Sequence, residues 1–133
     1  MEKRIILIVD DDHSFLETAR EVLEAEGFEV VTASSSRQGL EHLQQNLPDL
    51  IIVDLSTDDG DDGFRFYWAL RGEKAKEFSH IPLIAVTLAY STTLYNFAEY
   101  KYGEFLSIDD LLPKSIDGKV LTDKVKQHLP TAS

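Results

Sequence analysis

Short, unbroken hydrophobic runs recur along the chain and predict the strands of a parallel β-sheet. Three of them, Ile5–Val9, Leu50–Val53 and Leu83–Val86, contain no polar residue. Strands of a parallel sheet are buried on both faces, so they appear in a sequence as continuous apolar segments. Residues 28–33 and residues 110–112 predict two further strands, which brings the number to five.

Between these runs, hydrophobic residues recur at the spacing of amphipathic helices. We expect Ser14 and Glu17 to form a capping box at the start of the first helix, and Gly27 to end it. Ser35 and Gln38 predict the start of the second helix in the same way. The apolar positions that mark the first helix are Phe15, Leu16, Ala19, Val22 and Leu23.

Three more helices complete the pattern. One is predicted around Phe64–Leu70, where Trp68 is expected to pack in the protein, a second at residues 91–103, and the last from Asp117 onward. Alternating strands and helices predict an α/β domain with a doubly wound, five-stranded parallel sheet. We expect this domain to cover residues 1–129, with a short C-terminal tail at residues 130–133.

The composition argues against several classes of function. The chain has 13 basic and 24 acidic residues, and its net charge of -11 opposes direct binding to nucleic acid or to an anionic membrane. Because there is no cysteine, disulfides, thiolate metal sites and a cysteine nucleophile are excluded. The apolar run from Ile5 is too short for a signal peptide or a membrane span. We therefore expect a cytoplasmic protein without membrane insertion.

Chemically reactive side chains follow directly after the three apolar runs. Asp10, Asp11 and Asp12 come after the first run, Asp54 after the second and Thr87 after the third. In an open parallel sheet, ligands bind beyond the carboxyl ends of the strands, so we expect these side chains to converge there. Two carboxylates about 4 Å apart repel by roughly 4 kcal/mol at an effective dielectric constant of about 20. The cluster therefore predicts a bound cation.

This arrangement resembles the receiver domains of response regulators in two-component signalling, the group that includes the chemotaxis regulators. Those domains carry an acidic pair after strand one, a phosphorylated aspartate after strand three, a serine or threonine after strand four and a lysine after strand five. The matching residues here are Asp10, Asp11, Asp54, Thr87 and Lys114. The resemblance covers nearly the whole chain and implies a flavodoxin-like fold with strand order 2-1-3-4-5.

The resemblance also implies a phosphorelay function. Asp54 is expected to accept a phosphoryl group from a sensor histidine kinase, a phosphotransfer protein or a small phosphodonor. Lys114 and Thr87 are expected to bind the new phosphoryl oxygens and so to change the shape that a downstream protein target recognises. On this interpretation the protein is not an enzyme in the usual sense, since it catalyses only its own phosphorylation and dephosphorylation.

A magnesium cofactor follows from the same pattern. Oxygen-only ligands suit Mg²⁺, and Asp11 and Asp54 are expected to bind it directly. By resemblance, Asp10 is expected to help hold the metal, often through water, and the backbone carbonyl of Ser56 to complete the ligands that the protein supplies.

The chain departs from the family pattern at several positions. The loop after Asp54 lacks the usual proline and is one residue longer. Leu88 replaces a small residue and is expected to narrow access to Asp54, which predicts slower phosphoryl exchange than in a Leu88→Ala variant. Leu111 replaces the usual switch aromatic, and Ser115 replaces the proline that usually follows the lysine through a cis peptide. That last loop is therefore either strained or rearranged.

Two other functions remain open from the sequence. One is a phosphorylation-independent, receiver-like interaction module, which the departures at Leu88, Leu111 and Ser115 leave open. The other is a haloacid dehalogenase-type phosphatase with Asp10 as its nucleophile. In that class, however, a further acidic motif follows the lysine, whereas Asp109 precedes Lys114.

Overall fold

The computed structural model describes residues 3–55, 62–71, 76–87 and 108–130. Within these ranges, five strands alternate with four helices, and a short 3-10 helix precedes the fourth strand. The strands are β1 (Ile5–Val9), β2 (Glu29–Ala33), β3 (Leu50–Asp54), β4 (Leu83–Thr87) and β5 (Asp110–Pro113), and the helices are α1 (His13–Ala25), α2 (Ser36–Gln45), α3 (Asp62–Arg71) and α4 (Gly118–His128). The helix predicted at residues 91–103 lies outside the described residues.

The five strands form one parallel sheet in the order β2-β1-β3-β4-β5, which confirms the predicted fold class. Val9, the last residue of β1, pairs with Ala33 at the end of β2 and with Val53 of β3. The three strands therefore end side by side, with Asp54 one residue further along β3. Thr87, at the end of β4, pairs with Pro113 of β5. This register places the last residues of β3 and β4, and the residues that follow β1 and β5, at one edge of the sheet.

Successive residues of each central strand pack into two separate cores. Leu7 and Val9 face the core under α2 and α3, whereas Ile6 and Ile8 face the core under α1 and α4. Side chains alternate across a strand, so both sets must be apolar when helices cover both faces. This explains why the runs that predicted the strands contain no polar residue.

The ends of the first two helices follow from local capping. α1 begins two residues earlier than the predicted capping box requires, because Asp12 is its N-cap and accepts a hydrogen bond from the Phe15 N–H at 3.2 Å. Ser14 therefore lies inside the helix, and the predicted Ser14 capping box is wrong. Gly27, with φ of 94°, ends the helix as expected, since that backbone conformation favours glycine. Ser35 caps α2 as predicted.

Among the described residues, the helices present mainly polar outer faces, but Trp68 on α3 and Val120 on α4 are exposed apolar side chains. The side chain of Trp68 on α3 is 55% exposed and makes an edge contact with the buried ring of Tyr67 at 4.9 Å between centroids. The expectation that Trp68 packs inside the protein is therefore wrong. No helix in the described ranges combines the length and the apolar character that crossing a bilayer requires.

Aspartate side chains cap the starts of two strands. Asp49, just before β3, accepts a hydrogen bond from the Ile5 N–H at 2.7 Å, and Asp109, just before β5, accepts one from the Leu83 N–H at 2.8 Å. In both cases the backbone N–H of the aspartate donates back to the carbonyl of the same partner residue. Each aspartate thus extends the pairing of two parallel strands by one hydrogen bond.

We expect Asp109→Ala to lower the free energy of unfolding by about 1 kcal/mol, because the Leu83 N–H loses its acceptor in a partly buried position. Asp109→Asn keeps a carbonyl oxygen at that place and serves as the matched control. Urea unfolding followed by circular dichroism measures both variants. Equal destabilisation by the two substitutions would argue that the charge, and not the hydrogen bond, matters at Asp109.

Candidate phosphoacceptor site

Three aspartates meet at the carboxyl edge of the sheet, as the sequence predicted. Carboxylate oxygens of Asp10, Asp11 and Asp54 all lie within 4.8 Å of one another. Asp10 and Asp11 follow β1 directly, and Asp54 is the last residue of the neighbouring strand β3. The three differ in exposure: Asp10 is buried, Asp54 is half-buried and Asp11 is exposed. The cluster therefore opens to solvent on the side of Asp11.

Lys114 enters this cluster from the end of β5. Its backbone N–H donates to the Thr87 carbonyl at 2.7 Å, which continues the β4–β5 pairing by one residue. The Nζ atom lies 2.9 Å from Asp10 Oδ2, 3.0 Å from Asp54 Oδ2 and 3.6 Å from Asp12 Oδ2. The predicted lysine thus contacts the predicted phosphoacceptor and one member of the acidic pair, and its side chain is only 10% exposed.

Asp10 is the most deeply placed of the acids. Its side chain has no exposed surface, and Oδ1 accepts hydrogen bonds from the Asp12 N–H and from Lys114 Nζ, both at 3.0 Å. Burial raises the pKa of Asp10 to about 7, and the nearby charge of Asp54 adds to the rise, although the bonds from Asp12 and Lys114 oppose it. The raised pKa means that one ammonium group compensates the buried negative charge only in part.

The same surroundings also shift the pKa of Lys114. Burial alone would lower its pKa, but hydrogen bonds to Asp10 and Asp54 and the charges of these carboxylates outweigh burial, so the net pKa is raised. Lys114 is therefore a firmly protonated cation at neutral pH. It is well suited to hold negatively charged oxygen atoms beside Asp54.

Asp12 is a site residue to which the sequence analysis gave no separate role. Its Oδ1 caps α1, while its Oδ2 lies on the Lys114 side at 3.6 Å from Nζ. The two oxygens of one carboxylate therefore connect the start of α1 to the lysine after β5. The adjacent acidic pair hid this residue in the sequence, since three consecutive aspartates could all be explained by capping.

The start of α3 fixes the backbone of Asp54. A Cβ atom added to Gly63 would lie 1.7 Å from the Asp54 carbonyl oxygen, so only glycine allows this close approach. The preceding residue, Asp62, accepts hydrogen bonds from Ser36 N–H at 2.7 Å and Ser36 Oγ at 2.8 Å at the start of α2. These contacts hold the returning end of the loop after Asp54 against the sheet and against α2.

Thr87 ends β4 with a fully buried side chain. Its Oγ1 atom has no hydrogen-bond partner among the described residues. An unsatisfied buried hydroxyl costs free energy, and the resemblance to receiver domains implies that a phosphoryl oxygen would accept its hydrogen bond. Thr87 is therefore a candidate donor to a group bound at Asp54.

We expect Thr87→Val to raise the free energy of unfolding by about 1 kcal/mol, because valine keeps the shape and removes the unsatisfied hydroxyl. The exposed Thr18 on α1 provides the control for the general effect of this substitution. Urea unfolding in the absence of phosphodonor is the measurement. A clear loss of stability in Thr87→Val would mean that the hydroxyl is already bonded in the resting protein.

The structure describes only some of the residues at which the chain departs from the family pattern. Ser56 and Leu88 lie outside the described residues, so their predicted effects stay predictions. Leu111 is half-buried against the core under α2 and α3. No peptide bond in the described ranges is cis, so Lys114 is joined to Ser115 in trans and the loop is rearranged relative to the cis form.

Comparison with known proteins agrees with this geometry. The sequence model of the response regulator receiver domain matches residues 6–126. The chain is 28% identical to the transcriptional regulatory protein YvrH of Bacillus subtilis, over 97% of this chain and 50% of that protein. It is 31% identical to an uncharacterized 14.6 kDa protein of Leptolyngbya boryana, encoded in the sodA1 3' region, over 92% of this chain and 88% of that protein.

A solved structure with similar coverage is the response regulator receiver domain protein (CheY-like) from Methanospirillum hungatei JF-1. It superposes with a TM-score of 0.72 at 26% identity, over 95% of this chain and 93% of the other. The chain spans half or less of the length of several transcriptional regulatory proteins that it matches. The sheet order, the acidic cluster with its lysine and the match over residues 6–126 lead to one conclusion: this chain belongs to the response regulator receiver domain family of two-component signalling.

Proposed function

We propose that this chain accepts a phosphoryl group on Asp54 and relays the signal through the resulting change in its surface. The observation that carries the proposal is the contact of one buried ammonium with two strand-end carboxylates, at 3.0 Å from Asp54 and 2.9 Å from Asp10. Of these two, Asp54 keeps exposed surface on its side chain, whereas the Asp10 side chain has none. Asp54 is therefore the better nucleophile toward a donor that arrives from solvent.

The residues at the site fit a magnesium ion. Their donors are all oxygen atoms, and three carboxylates can each direct one oxygen toward a common point. Burial raises the pKa of Asp10, and the nearby charge of Asp54 adds to the rise, so a cation beside these carboxylates would be favourable. Asp11 and Asp54 would bind the ion directly, Asp10 would assist, and the Ser56 carbonyl is the further ligand that the family pattern suggests. When bound, the ion supplies positive charge that neutralises phosphoryl oxygens during transfer.

Each residue then has a defined part in the transfer. A carboxylate oxygen of Asp54 attacks the phosphorus atom, and the bond from phosphorus to the donor nitrogen or oxygen breaks as the donor leaves. Lys114, already 3.0 Å from Asp54 Oδ2, pairs with the oxygens of the phosphoryl group. The Thr87 hydroxyl donates a hydrogen bond to the same group. The net reaction moves the phosphoryl group to Asp54 and leaves an acyl phosphate.

The partners and setting follow from this function. We infer a sensor histidine kinase or a phosphotransfer protein as the donor, and a downstream protein as the target of the phosphorylated surface. The net charge of -11 does not favour direct contact of this domain with nucleic acid. We further propose that the receiver comprises residues 1–129, followed by a short tail at 130–133, that it works in the cytoplasm, and that it catalyses only its own phosphorylation and dephosphorylation.

Intact mass spectrometry tests the proposal. We expect the natural chain to gain the mass of one phosphate when incubated with acetyl phosphate and Mg²⁺, and to lose this gain when a chelator removes the metal. Asp54→Asn should show no gain, whereas Asp123→Asn, an exposed acid on α4, should match the natural chain. No gain with acetyl phosphate or with a phosphorylated histidine donor would favour a phosphorylation-independent interaction module.

A further inference from the structure

We propose that Asp12 is a positioning residue that acts through Lys114 and restrains phosphorylation of the resting protein. The inference rests on the proposed function of Asp54 and adds a residue to it. Asp12 Oδ2 lies 3.6 Å from Lys114 Nζ, so the ammonium has a third carboxylate neighbour besides Asp10 and Asp54. Asp12 therefore competes for the cation that the incoming phosphoryl group needs.

The exposure of Asp12 supports this role. Its side chain is 41% exposed, against 10% for both Lys114 and Asp54. A donor approaching Asp54 from solvent therefore meets the negative charge of Asp12 in addition to that of the exposed Asp11. Small phosphodonors are anions, so this charge repels them while it also draws Lys114 toward α1.

Two further contacts fix Asp12 in this position. Its Oδ1 accepts the Phe15 N–H at 3.2 Å, and its own backbone N–H donates to Asp10 Oδ1 at 3.0 Å. The centre of the Phe15 ring lies 5.5 Å from Lys114 Nζ, so the residue that Asp12 caps also contacts the ammonium. Because capping uses only one of its oxygens, Asp12 can cap α1 and hold Lys114 at the same time.

A substitution that keeps the helix cap but removes the charge distinguishes the capping role of Asp12 from its effect on Lys114. Asparagine caps helices about as well as aspartate, so Asp12→Asn removes the charge and retains the bond to Phe15 N–H. Asp123→Asn, on the exposed face of α4, changes the net charge of the chain by the same amount and serves as the matched control. Urea unfolding should give nearly the same midpoint for the natural chain and Asp12→Asn.

The decisive readout is the rate of phosphorylation by acetyl phosphate at saturating Mg²⁺, followed by intact mass. We expect Asp12→Asn to react about two- to fivefold faster than the natural chain at low salt, the size of effect that one partly exposed ion pair can have. The difference should shrink at high salt, because mobile ions screen exposed charges. Asp123→Asn should react at the natural rate under both conditions.

The outcomes distinguish this inference from the proposed function. Equal or slower rates in Asp12→Asn, with a natural chain that still takes up phosphate, would overturn the role of Asp12 and leave Asp54 as the acceptor. A faster rate that salt does not reduce would also contradict an electrostatic effect. If the natural chain takes up no phosphate from any donor, the proposed function itself fails.

Discussion

Asp10→Asn is expected to raise the free energy of unfolding by about 4 kcal/mol at about pH 8, although it removes a residue of the acidic cluster. The pKa of Asp10 is raised to about 7 from 3.8, chiefly by burial. Each tenfold loss of proton affinity on unfolding corresponds to about 1.4 kcal/mol, so a rise in pKa from 3.8 to about 7 means that the ionised carboxylate destabilises the folded chain by about 4 kcal/mol. Asparagine keeps the shape without the charge.

The stabilisation by Asp10→Asn should depend on pH, because the substitution removes a group that binds a proton. Between about pH 4 and pH 7 the folded chain binds a proton at Asp10 that the unfolded chain does not bind, so acid relieves the strain in the natural chain. The advantage of Asp10→Asn should therefore be complete above pH 7, shrink as the pH falls, and be almost absent near pH 4. Urea unfolding of both proteins across this range measures it. A constant advantage at every pH would contradict the raised pKa.

Magnesium provides an independent check on the same residue. A cation bound beside Asp10 would relieve the repulsion, so Mg²⁺ should stabilise the natural chain more than Asp10→Asn. The exposed Asp123→Asn variant should respond to Mg²⁺ as the natural chain does. If Mg²⁺ stabilised the natural chain and Asp10→Asn equally, Asp10 would have no part in holding the metal.

Gly63→Ala is expected to lower the free energy of unfolding by about 1–3 kcal/mol, the range found for overpacked sites. The added Cβ would lie 1.7 Å from the Asp54 carbonyl oxygen and 2.9 Å from its carbonyl carbon. Both atoms belong to the backbone of β3, so neither can rotate away. The end of β3 must move, and we also expect phosphorylation of Asp54 to slow.

Gly118→Ala is the matched control for this effect. A Cβ at Gly118 would meet the Val22 side chain, with its closest atom at 2.9 Å, and a half-buried side chain can adjust where a backbone cannot. Denaturant unfolding and the rate of mass gain with acetyl phosphate should both show Gly63→Ala as the more damaged variant. Equal stability and equal phosphorylation rates of the two variants would mean that the close contact of Gly63 with the Asp54 backbone matters for neither.

Much of the fold could be predicted because its signals are local. Each central strand is an unbroken apolar run, since helices cover both faces of the sheet. Gly27 and Ser35 mark helix ends through their own backbone and side-chain chemistry. The convergence of Asp10, Asp54 and Lys114 also followed from the sequence, because the carboxyl ends of parallel strands meet at one edge.

The remaining features depend on contacts between distant parts of the chain. The helix cap at Asp12 could not be chosen over Ser14 from sequence, since both residue types cap helices well. The exposure of Trp68 depends on how α3 is rotated about its axis, which the sequence of Phe64–Leu70 alone does not define. The contact of Gly63 with the Asp54 carbonyl becomes visible only when α3 is placed against β3.

The raised pKa of Asp10 also depends on how distant parts of the chain come together. Three consecutive aspartates look alike in the sequence, yet the first is buried, the second exposed and the third intermediate. Their different surroundings arise where β1 ends inside the sheet and α1 begins at its surface. Burial, and not residue type, therefore distinguishes Asp10, with its raised pKa, from the exposed candidate metal ligand Asp11 and from the helix cap Asp12.

Chemical mapping of the phosphorylated residue tests the central claim most directly. Borohydride reduces an acyl phosphate of aspartate to homoserine, which peptide mass spectrometry can locate along the chain. After treatment with acetyl phosphate and Mg²⁺, we predict homoserine at position 54 and at no other aspartate. Homoserine at Asp10, Asp11 or Asp12, or a phosphate gain without any homoserine, would contradict the assignment of Asp54 as the phosphoacceptor.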